Sequence, residues 1–335
     1  MKYIPILLSL FITQIVSAGE TLTVYSYRHY ESDDQLFKKF TDQTGIEIEV
    51  VKSKADALLE RLKAEGEASP ADVFITSDAG RLHQALAAGV LQPTKSSFLE
   101  SRIPENLRDP EGHWFGFTQR ARVIVYHPDR VKPEELSTYE NLADESWRGR
   151  LVVRSSSNIY NQSLLASLIE HDGKEKAIEW AAAVRKNMAR APQGSDRDQM
   201  RAVAAGLADA AVVNTYYLGL LHNSDSEKDR EVAKQLKIYF PNQDGRGTHV
   251  NVSGAGVVAG SDSPEAAQKL LEFLASDAAQ KVFPNTTYEY AVVPSIEWSP
   301  LQKSWGRFKA DTIGLERLGE LNAESIRCFN LAGWE

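Results

Sequence analysis

Apolar and polar positions change between two periods along the first third of the chain, which predicts alternating strands and helices. Leu22 and Val24 alternate with polar neighbours, as in a half-buried strand. Apolar side chains then recur at helical spacing through residues 36–40, and Gly45 suits the left-handed conformation in which many helices end. The predicted order therefore opens with a strand followed by a helix.

The same change of period occurs twice more, over four segments: residues 46–50 (strand), 58–62 (helix), 71–76 (strand) and 82–86 (helix). Strands separated by helices of this length predict a parallel sheet with right-handed crossovers. Ligands of such sheets bind beyond the carboxyl ends of the strands. His29 and Tyr30 follow the carboxyl end of the first predicted strand.

Two long extended segments interrupt the alternation, one between Phe117 and Tyr126 and the other from Thr248 to Val258. Between them the patterns resume, with three helical patterns and a strand that runs up to Tyr216. Two α/β lobes joined by two extended crossings would leave a ligand cleft between them. We therefore predict an α/β protein with two lobes: an N-lobe of residues 19–118 with 249–300, and a C-lobe of residues 119–248 with 301–335.

The first 18 residues, 1–18, have the composition of a secretory signal peptide. Lys2 supplies a positive charge, the next residues form a mostly apolar core, and small residues precede the expected cleavage after Ala18. Removal of this segment changes the net charge from −8 to −9, because it takes away Lys2. A chain this acidic is a poor candidate for binding nucleic acid.

The chain contains one cysteine and therefore forms no internal disulfide. Cys328 lies in a helical pattern among apolar residues, and we expect it to pack in the core. The remaining length is large enough to be stabilised by burial alone, and it suggests about two domains.

Tyrosine is the residue type that indicates chemistry in this chain. Tyr216 and Tyr217 are adjacent where an apolar run ends, and a second cluster, residues 25–30, follows the first predicted strand. A phenolate is an anionic oxygen ligand, whereas thiolates select softer metals and carboxylates suit Mg²⁺ or Ca²⁺. A site dominated by tyrosine oxygens therefore favours a more highly charged ion, for which Fe(III) is the obvious candidate. We interpret Tyr25 and Tyr27 as strand aromatics.

Five motifs occur in one order along the chain: His29-Tyr30, Ala71–Thr76, Ser155–Ser163, Asn214–Tyr217 and Gly247–Gly256. In this order they resemble the periplasmic ferric-ion-binding proteins that supply ABC iron importers, over essentially residues 20–335. The resemblance implies a type II periplasmic-binding-protein fold, in which two lobes close on the ligand. It also implies capture of Fe(III) in the periplasm and delivery to an inner-membrane ABC transporter, with its permease and ATPase as partners.

In that family the adjacent tyrosine pair binds the metal, and here it corresponds to Tyr216 and Tyr217. The resemblance to the branch with four tyrosine ligands adds Tyr30 and Tyr160, one from each of two other motifs. His29 corresponds to a position that is a ligand in some members and only a neighbour in others, so both interpretations stay open.

A different branch has a glutamate near the end of the third strand and completes its site with a bound anion. This chain has Ser77 at that position, which argues against that branch and against a required anion. Four phenolates around Fe(III) leave one net negative charge, so a neighbouring cation would stabilise the site. Arg120 corresponds to an arginine that lies beside the ligands, without binding the metal, in four-tyrosine relatives.

The polar turn at residues 155–158 supports an alternative. Backbone N–H groups at a helix N-terminus form a ready anion site, so Ser156, Ser157 and Asn158 would suit an oxyanion or small-carboxylate binding protein on the same fold. An enzyme is less well supported, because the chain lacks a Gly-x-Ser-x-Gly elbow, a Walker loop and a His-Glu-x-x-His pair. We expect a monomeric periplasmic binding protein whose mature chain does not insert into a membrane.

Overall fold

A computed structural model describes residues 20–28 and 30–334. The predicted signal peptide, residues 1–18, and His29 lie outside the described residues. Within this part of the chain, ten strands are formed: β1 Thr21–Ser26, β2 Glu47–Lys52, β3 Val73–Ser77, β4 Leu91–Gln92, β5 Phe115–Tyr126, β6 Leu151–Val152, β7 Ala210–Asn214, β8 Lys237–Tyr239, β9 Val250–Val258 and β10 Tyr290–Ala291.

Helices alternate with these strands, as the sequence predicts for an α/β fold. The α-helices of the described residues are α1 Glu31–Thr44, α2 Ala55–Glu65, α3 Ala79–Ala87, α4 Ser97–Arg102, α5 Ile159–Asp172, α6 Lys174–Asn187, α7 Asp196–Ala204, α8 Thr215–His222, α9 Glu227–Lys234, α10 Pro264–Leu274, α11 Asp277–Gln280, α12 Phe283–Thr286, α13 Pro300–Ser304, α14 Leu315–Glu320 and α15 Asn322–Leu331.

The main path of the sheet has the strand order β2-β1-β3-β9-β5-β7-β6. β1 pairs in parallel with both β2 and β3, which confirms the parallel sheet predicted for the first third. The two long strands β5 and β9 lie next to each other and are antiparallel. They therefore connect a parallel set of strands on one side, β2-β1-β3, with a second parallel pair on the other, β6-β7.

Local signals explain where several elements begin and end. Helix α1 ends at Gly45, which has φ 75° and so adopts the predicted left-handed conformation. The prediction that a strand runs up to Tyr216 is wrong, because β7 ends at Asn214 and Tyr216 and Tyr217 lie in α8. The apolar run continues from a buried strand into a largely buried helix, and hydrophobicity alone cannot separate these two states.

Buried apolar side chains form three clusters in the described part of the chain. The first lies around β1, β3 and α10, the second around α5 and α6, and the third around α7 and α8. Cys328 is buried in the second cluster, as expected from its apolar neighbours. Leu315 and Leu318, which belong to a segment assigned to the C-lobe, contribute to the first cluster. The division into two lobes stays a prediction.

Among residues 20–28 and 30–334, we find no helix with both the length and the apolar character needed to cross a bilayer.

Candidate metal centre

The four tyrosines predicted as ligands come from three separate parts of the chain and meet at one cavity. The cavity has a volume of about 90 Å³. Its described lining residues are Tyr27, Arg28, Tyr30, Ser77, Tyr160, Tyr216, Tyr217, Ser253 and Glu289. The structure therefore brings Tyr30, Tyr160, Tyr216 and Tyr217 together, although up to 187 positions separate them in the sequence. His29 is not among the described residues.

Each of these tyrosines lies at the N-terminal end of a helix. Tyr30 is the N-cap residue of α1, Tyr160 is the second residue of α5, and Tyr216 and Tyr217 are the second and third residues of α8. The Cα–Cβ bonds of helical residues tilt toward the N-terminus, where the helix dipole carries partial positive charge. The helix dipoles therefore offset part of the cost of burying phenolate oxygens at this position.

The tyrosine side chains are in mutual contact. The rings of Tyr216 and Tyr217 have centroids 4.1 Å apart. The side chain of Tyr216 lies close enough to the hydroxyl groups of Tyr30 and Tyr217 to lower the pKa values of both, although the opposite effect of burial is larger. Burial, reinforced by the nearby Tyr160, raises the pKa values of Tyr216 and Tyr217 well above the ordinary value for tyrosine.

Burial also raises the pKa of Tyr30, and the neighbouring carboxylate of Glu289 raises it further. Without a metal ion the hydroxyl groups of Tyr30, Tyr216 and Tyr217 are therefore protonated at neutral pH. A bound cation of high charge would reverse this preference, because it stabilises the deprotonated form of each ligand.

Three arginines surround the ring of Tyr160. The guanidinium carbons of Arg120, Arg154 and Arg122 lie 5.3, 5.8 and 6.0 Å from the ring centroid. Such cations stabilise electron-rich aromatic rings and, more strongly, a phenolate.

Arg120 is almost fully buried, and its Nη1 donates a hydrogen bond of 2.9 Å to Ser253 Oγ. Its Nε and Nη2 have no hydrogen-bond partner among the described residues. Burial by itself would lower the pKa of Arg120, but neighbouring tyrosines and carboxylates outweigh burial and raise the pKa. Arg120 is therefore a permanent positive charge beside the cavity, and it contacts Tyr160 without lining the cavity itself.

Sequence reasoning missed four groups that line the cavity: Tyr27, Arg28, Ser253 and Glu289. Tyr27 lies one residue beyond the end of β1 and lines the cavity, although its N–H still donates to the carbonyl of Ile75 in β3 at 3.0 Å, whereas Tyr25 lies buried within the strand. Arg28 and Glu289 form an ion pair of 2.8 Å. A signal for Arg28 was its place in the polar-aromatic cluster, but the sequence around Glu289 carried none.

Glu289 stays ionised although it is almost fully buried. Burial would raise the pKa of its carboxyl group, but the positive charges of Arg28 and Arg120 outweigh this effect and lower the pKa. Thr118 Oγ1 donates a further hydrogen bond of 2.8 Å to Glu289 Oε1. A fixed negative charge therefore lies at the cavity in addition to the tyrosines.

The polar turn before α5 uses part of its hydrogen-bonding capacity internally. The backbone N–H of Ser157 donates to Ser155 Oγ at 3.1 Å, and the N–H of Asn158 donates to the carbonyl of Ser155. The side chain of Asn158 accepts from the N–H of Tyr160 at 3.2 Å. The N–H groups of Ser157 and Asn158 are therefore already bonded within the turn. They are not directed outward to bind an anion, as the oxyanion-binding alternative requires.

Conventional metal ligands do not form a competing site in the described parts of the chain. No group of three or more histidine, cysteine, aspartate or glutamate residues is placed there to hold a metal ion.

Comparison with known proteins agrees with this chemistry. Residues 68–304 match the model of a family described as bacterial extracellular solute-binding proteins. The chain is 49% identical to iron uptake protein A1 of Synechocystis over 316 residues, which cover 94% of this chain and 88% of that protein. It is also similar to a solved Trichodesmium protein, FutA, in complex with iron and citrate, with 49% identity, a TM-score of 0.92 and coverage of 94% of this chain and 100% of that chain.

A ferric-binding protein from Campylobacter jejuni has the same fold, with 42% identity and a TM-score of 0.89 over 94% of this chain and all of that chain. These matches confirm the predicted fold and the predicted resemblance to ferric-ion-binding proteins. The chain belongs to the family of bacterial extracellular solute-binding proteins.

Proposed function

We propose that this protein captures one Fe(III) ion with the phenolate oxygens of Tyr30, Tyr160, Tyr216 and Tyr217. The observation that carries the proposal is their convergence on one cavity, each from the N-terminal end of a helix. The names of the relatives from Synechocystis, Trichodesmium and Campylobacter, which refer to iron or ferric ion, support the same cargo. His29 remains a ligand or a neighbour of the ion.

The charges of the site fit a trivalent ion without an additional anion. Four phenolates and Fe(III) together carry one negative charge, and Arg120 lies against Tyr160 to offset it. Ser77 lines the cavity where the anion-requiring branch has a glutamate. We therefore propose that iron binds without added phosphate, carbonate or citrate, which a titration of anion-depleted protein with ferric chloride in citrate-free, degassed buffer tests directly.

The relatives also support a wider role. Another related protein is the Fe(3+)-binding periplasmic protein of Serratia marcescens, 28% identical over 284 residues, which cover 84% of this chain and 82% of that protein. We propose that the mature chain acts as a monomer in the periplasm, after removal of residues 1–18, and passes iron to the permease and ATPase of an ABC importer. In this role it binds and releases its cargo and is not an enzyme.

Replacement of the tyrosine pair tests the proposed site. Phenolate-to-Fe(III) charge transfer gives a visible absorption band, so purified protein with ferric iron should be red or purple. The Tyr216→Phe/Tyr217→Phe variant should lose this band and retain no iron after gel filtration. Tyr239→Phe, in β8 and away from the cavity, is the matched control and should behave like the unchanged protein.

Two results would contradict the proposal. One is a coloured, iron-loaded double variant. The other is a colourless protein that binds phosphate or a small carboxylate, which would favour the alternative of an oxyanion-binding protein.

A further inference from the structure

The side chain of Arg28 connects three separate parts of the chain beside the candidate metal centre. Its Nη1 donates to Glu289 Oε2 at 2.8 Å and to Ser253 Oγ at 3.0 Å. Its Nε and Nη2 donate to the carboxylate of Asp33 at 3.2 and 3.1 Å. Arg28 is only 8% exposed. Its guanidinium group therefore joins the loop after β1 to the first turn of α1, to β9 and to the segment before β10.

The ring of Tyr30 lies next to the guanidinium group of Arg28. The guanidinium carbon of Arg28 is 5.1 Å from the centroid of the Tyr30 ring. Tyr30 and Arg28 are two residues apart in the short link between β1 and α1, and Asp33 fixes the other end of this link in the first turn of α1. The contacts of Arg28 thus hold both the backbone on either side of Tyr30 and the face of its ring.

Hydrogen bonds, more than close packing, hold the guanidinium group in place. A cavity of about 30 Å³ lies against Arg28, between it and the apolar side chains of Leu36, Phe37 and Phe283. The ring of Phe283 lies over the guanidinium carbon at 5.7 Å, and the remaining space leaves the hydrogen bonds as the directional restraint on Arg28. The planar fork of arginine can satisfy several acceptors in different directions, whereas the ammonium group of lysine cannot reproduce that geometry.

Glu289 is the anchor that the sequence places farthest from Arg28. Its Oε1 accepts from Thr118 and Ser253, at 2.8 and 3.3 Å, and its Oε2 accepts from Thr287 at 3.2 Å in addition to Arg28. The segment that carries it is fixed by β10, in which Tyr290 pairs with Gln119 of β5. With both oxygens occupied in this way, Glu289 is suited to hold Arg28 and is not available as a further metal ligand.

We propose that the buried Arg28–Glu289 pair positions the Tyr30 hydroxyl for metal binding. This inference rests on the proposed function, in which Tyr30 is a ligand of Fe(III). The pair is a positioning device: neither residue binds the ion, and both act through Tyr30.

Two variants that keep the charge test the geometry. Arg28→Lys retains the positive charge but loses the fork, and Glu289→Asp retains the carboxylate but withdraws it by one methylene group. Each should lower the affinity for Fe(III) at least tenfold in competition with citrate, and each should change the absorbance of the visible band per bound iron. Arg61→Lys is the matched control, because Arg61 also lies over a tyrosine ring of the same lobe, that of Tyr25 at 4.7 Å, but away from the cavity.

A double-variant cycle separates positioning from a general effect on the fold. In a Tyr30→Phe background, Arg28→Lys and Glu289→Asp should cause little further loss of affinity, because the group they position is gone. An unchanged affinity and band in both single variants would overturn the inference. So would an equal loss with and without the Tyr30 hydroxyl. A native protein with no iron band at all would instead overturn the proposed function.

Discussion

Tyr288 lies directly against Gly219, two residues after the tyrosine pair in α8. A Cβ atom at Gly219 would lie 2.5 Å from both Cβ and Cγ of Tyr288, closer than real side chains approach each other. Tyr288 also has φ 58°, a left-handed conformation that is unusual for a bulky residue. The helix that carries Tyr216 and Tyr217 therefore has no room for a side chain where the segment preceding Glu289 crosses it.

The contact between Gly219 and Tyr288 predicts that the effect of Gly219→Ala on stability changes from destabilising to stabilising when Tyr288 is replaced by glycine. Gly219→Ala should destabilise the iron-free protein by about 1–3 kcal/mol, as expected for overpacking of a close contact. In a Tyr288→Gly background the same change should be stabilising by up to about 1 kcal/mol, because alanine is the better helix former once the clash is removed. Urea denaturation followed by circular dichroism measures both values.

The Tyr288→Gly variant alone serves as the control, since glycine adopts positive φ without strain. Equal effects of Gly219→Ala in the two backgrounds would show that the contact with Tyr288 does not limit this position.

Local sequence signals were sufficient for much of the fold. The parallel β1–β3 unit follows from strand and helix periods, and the lengths of β5 and β9 follow from two long extended patterns. Gly45 ends α1 as expected because a left-handed residue favours glycine. The sequence predicts a strand up to Tyr216, but Tyr216 and Tyr217 lie in α8. The prediction is wrong because a buried strand and a buried helix have similarly apolar sequences.

Contacts between distant residues could not be predicted in this way. Arg28 and Glu289 are separated by 261 positions. A lone arginine and a lone glutamate in polar segments most often lie at the surface. Their burial depends on β10 pairing with β5, and β10 is only two residues long. Tyr30, Tyr160, Tyr216 and Tyr217 are predicted as ligands because the resemblance of ordered motifs supplies the non-local information that periodicity lacks.

Iron binding should depend steeply on pH. Burial raises the pKa values of Tyr30, Tyr216 and Tyr217, so the iron-free site holds protons that the metal must displace. The iron-bound state therefore carries fewer protons, and affinity must rise with pH and fall on acidification. We expect release of at least about three protons per ion, one from each of these tyrosines. A pH-stat titration with ferric iron counts them, and the visible band follows iron loss as the pH is lowered.

Protonation of His249 limits how far the pH can be lowered in this experiment before the fold is lost. Burial, together with the positive charge of Arg122, lowers the pKa of His249 to about 3. The unfolded chain takes up this proton near pH 6.5, so the fold loses stability progressively as the pH falls from there toward 3. Circular dichroism of the iron-free protein at each pH is the control. Iron content that is constant while the fold is intact would argue against phenolate ligands.

Arg120→Ala should weaken iron binding without changing the type of ligand. A unit positive charge about 5 Å from a phenolate contributes about 3 kcal/mol of attraction at an effective dielectric constant of about 20. Loss of this charge should therefore lower the affinity for iron by up to roughly a hundredfold. Because Arg120 does not line the cavity, the visible band should keep its wavelength when the site is saturated. Competition with citrate measures the affinity. Arg120→Lys should be less affected, and a lost or strongly shifted band would show that Arg120 shapes the ligand set itself.

Binding of iron should also bring the two predicted lobes together. β5 contributes Phe115 and Phe117 to the first core cluster and Val123 to the third, so this strand passes from one core to another within a few residues. β9 does the same between Val252 and Val250. Such crossings allow two cores to move as separate bodies, with the bending concentrated in the two strands between them.

The proposed ligands lie on both sides of these crossings. Tyr30 belongs to the predicted N-lobe, and Tyr160, Tyr216 and Tyr217 belong to the predicted C-lobe, so all four reach one ion only when the cleft is closed. Metal binding then shifts an open–closed equilibrium by its preference for the closed state. Small-angle scattering should give a smaller radius of gyration with iron than without, and the Tyr216→Phe/Tyr217→Phe variant should keep the iron-free value under both conditions. If the native protein scatters identically with and without bound iron, its lobes do not close on the metal, and another surface must signal the loaded state to a transporter.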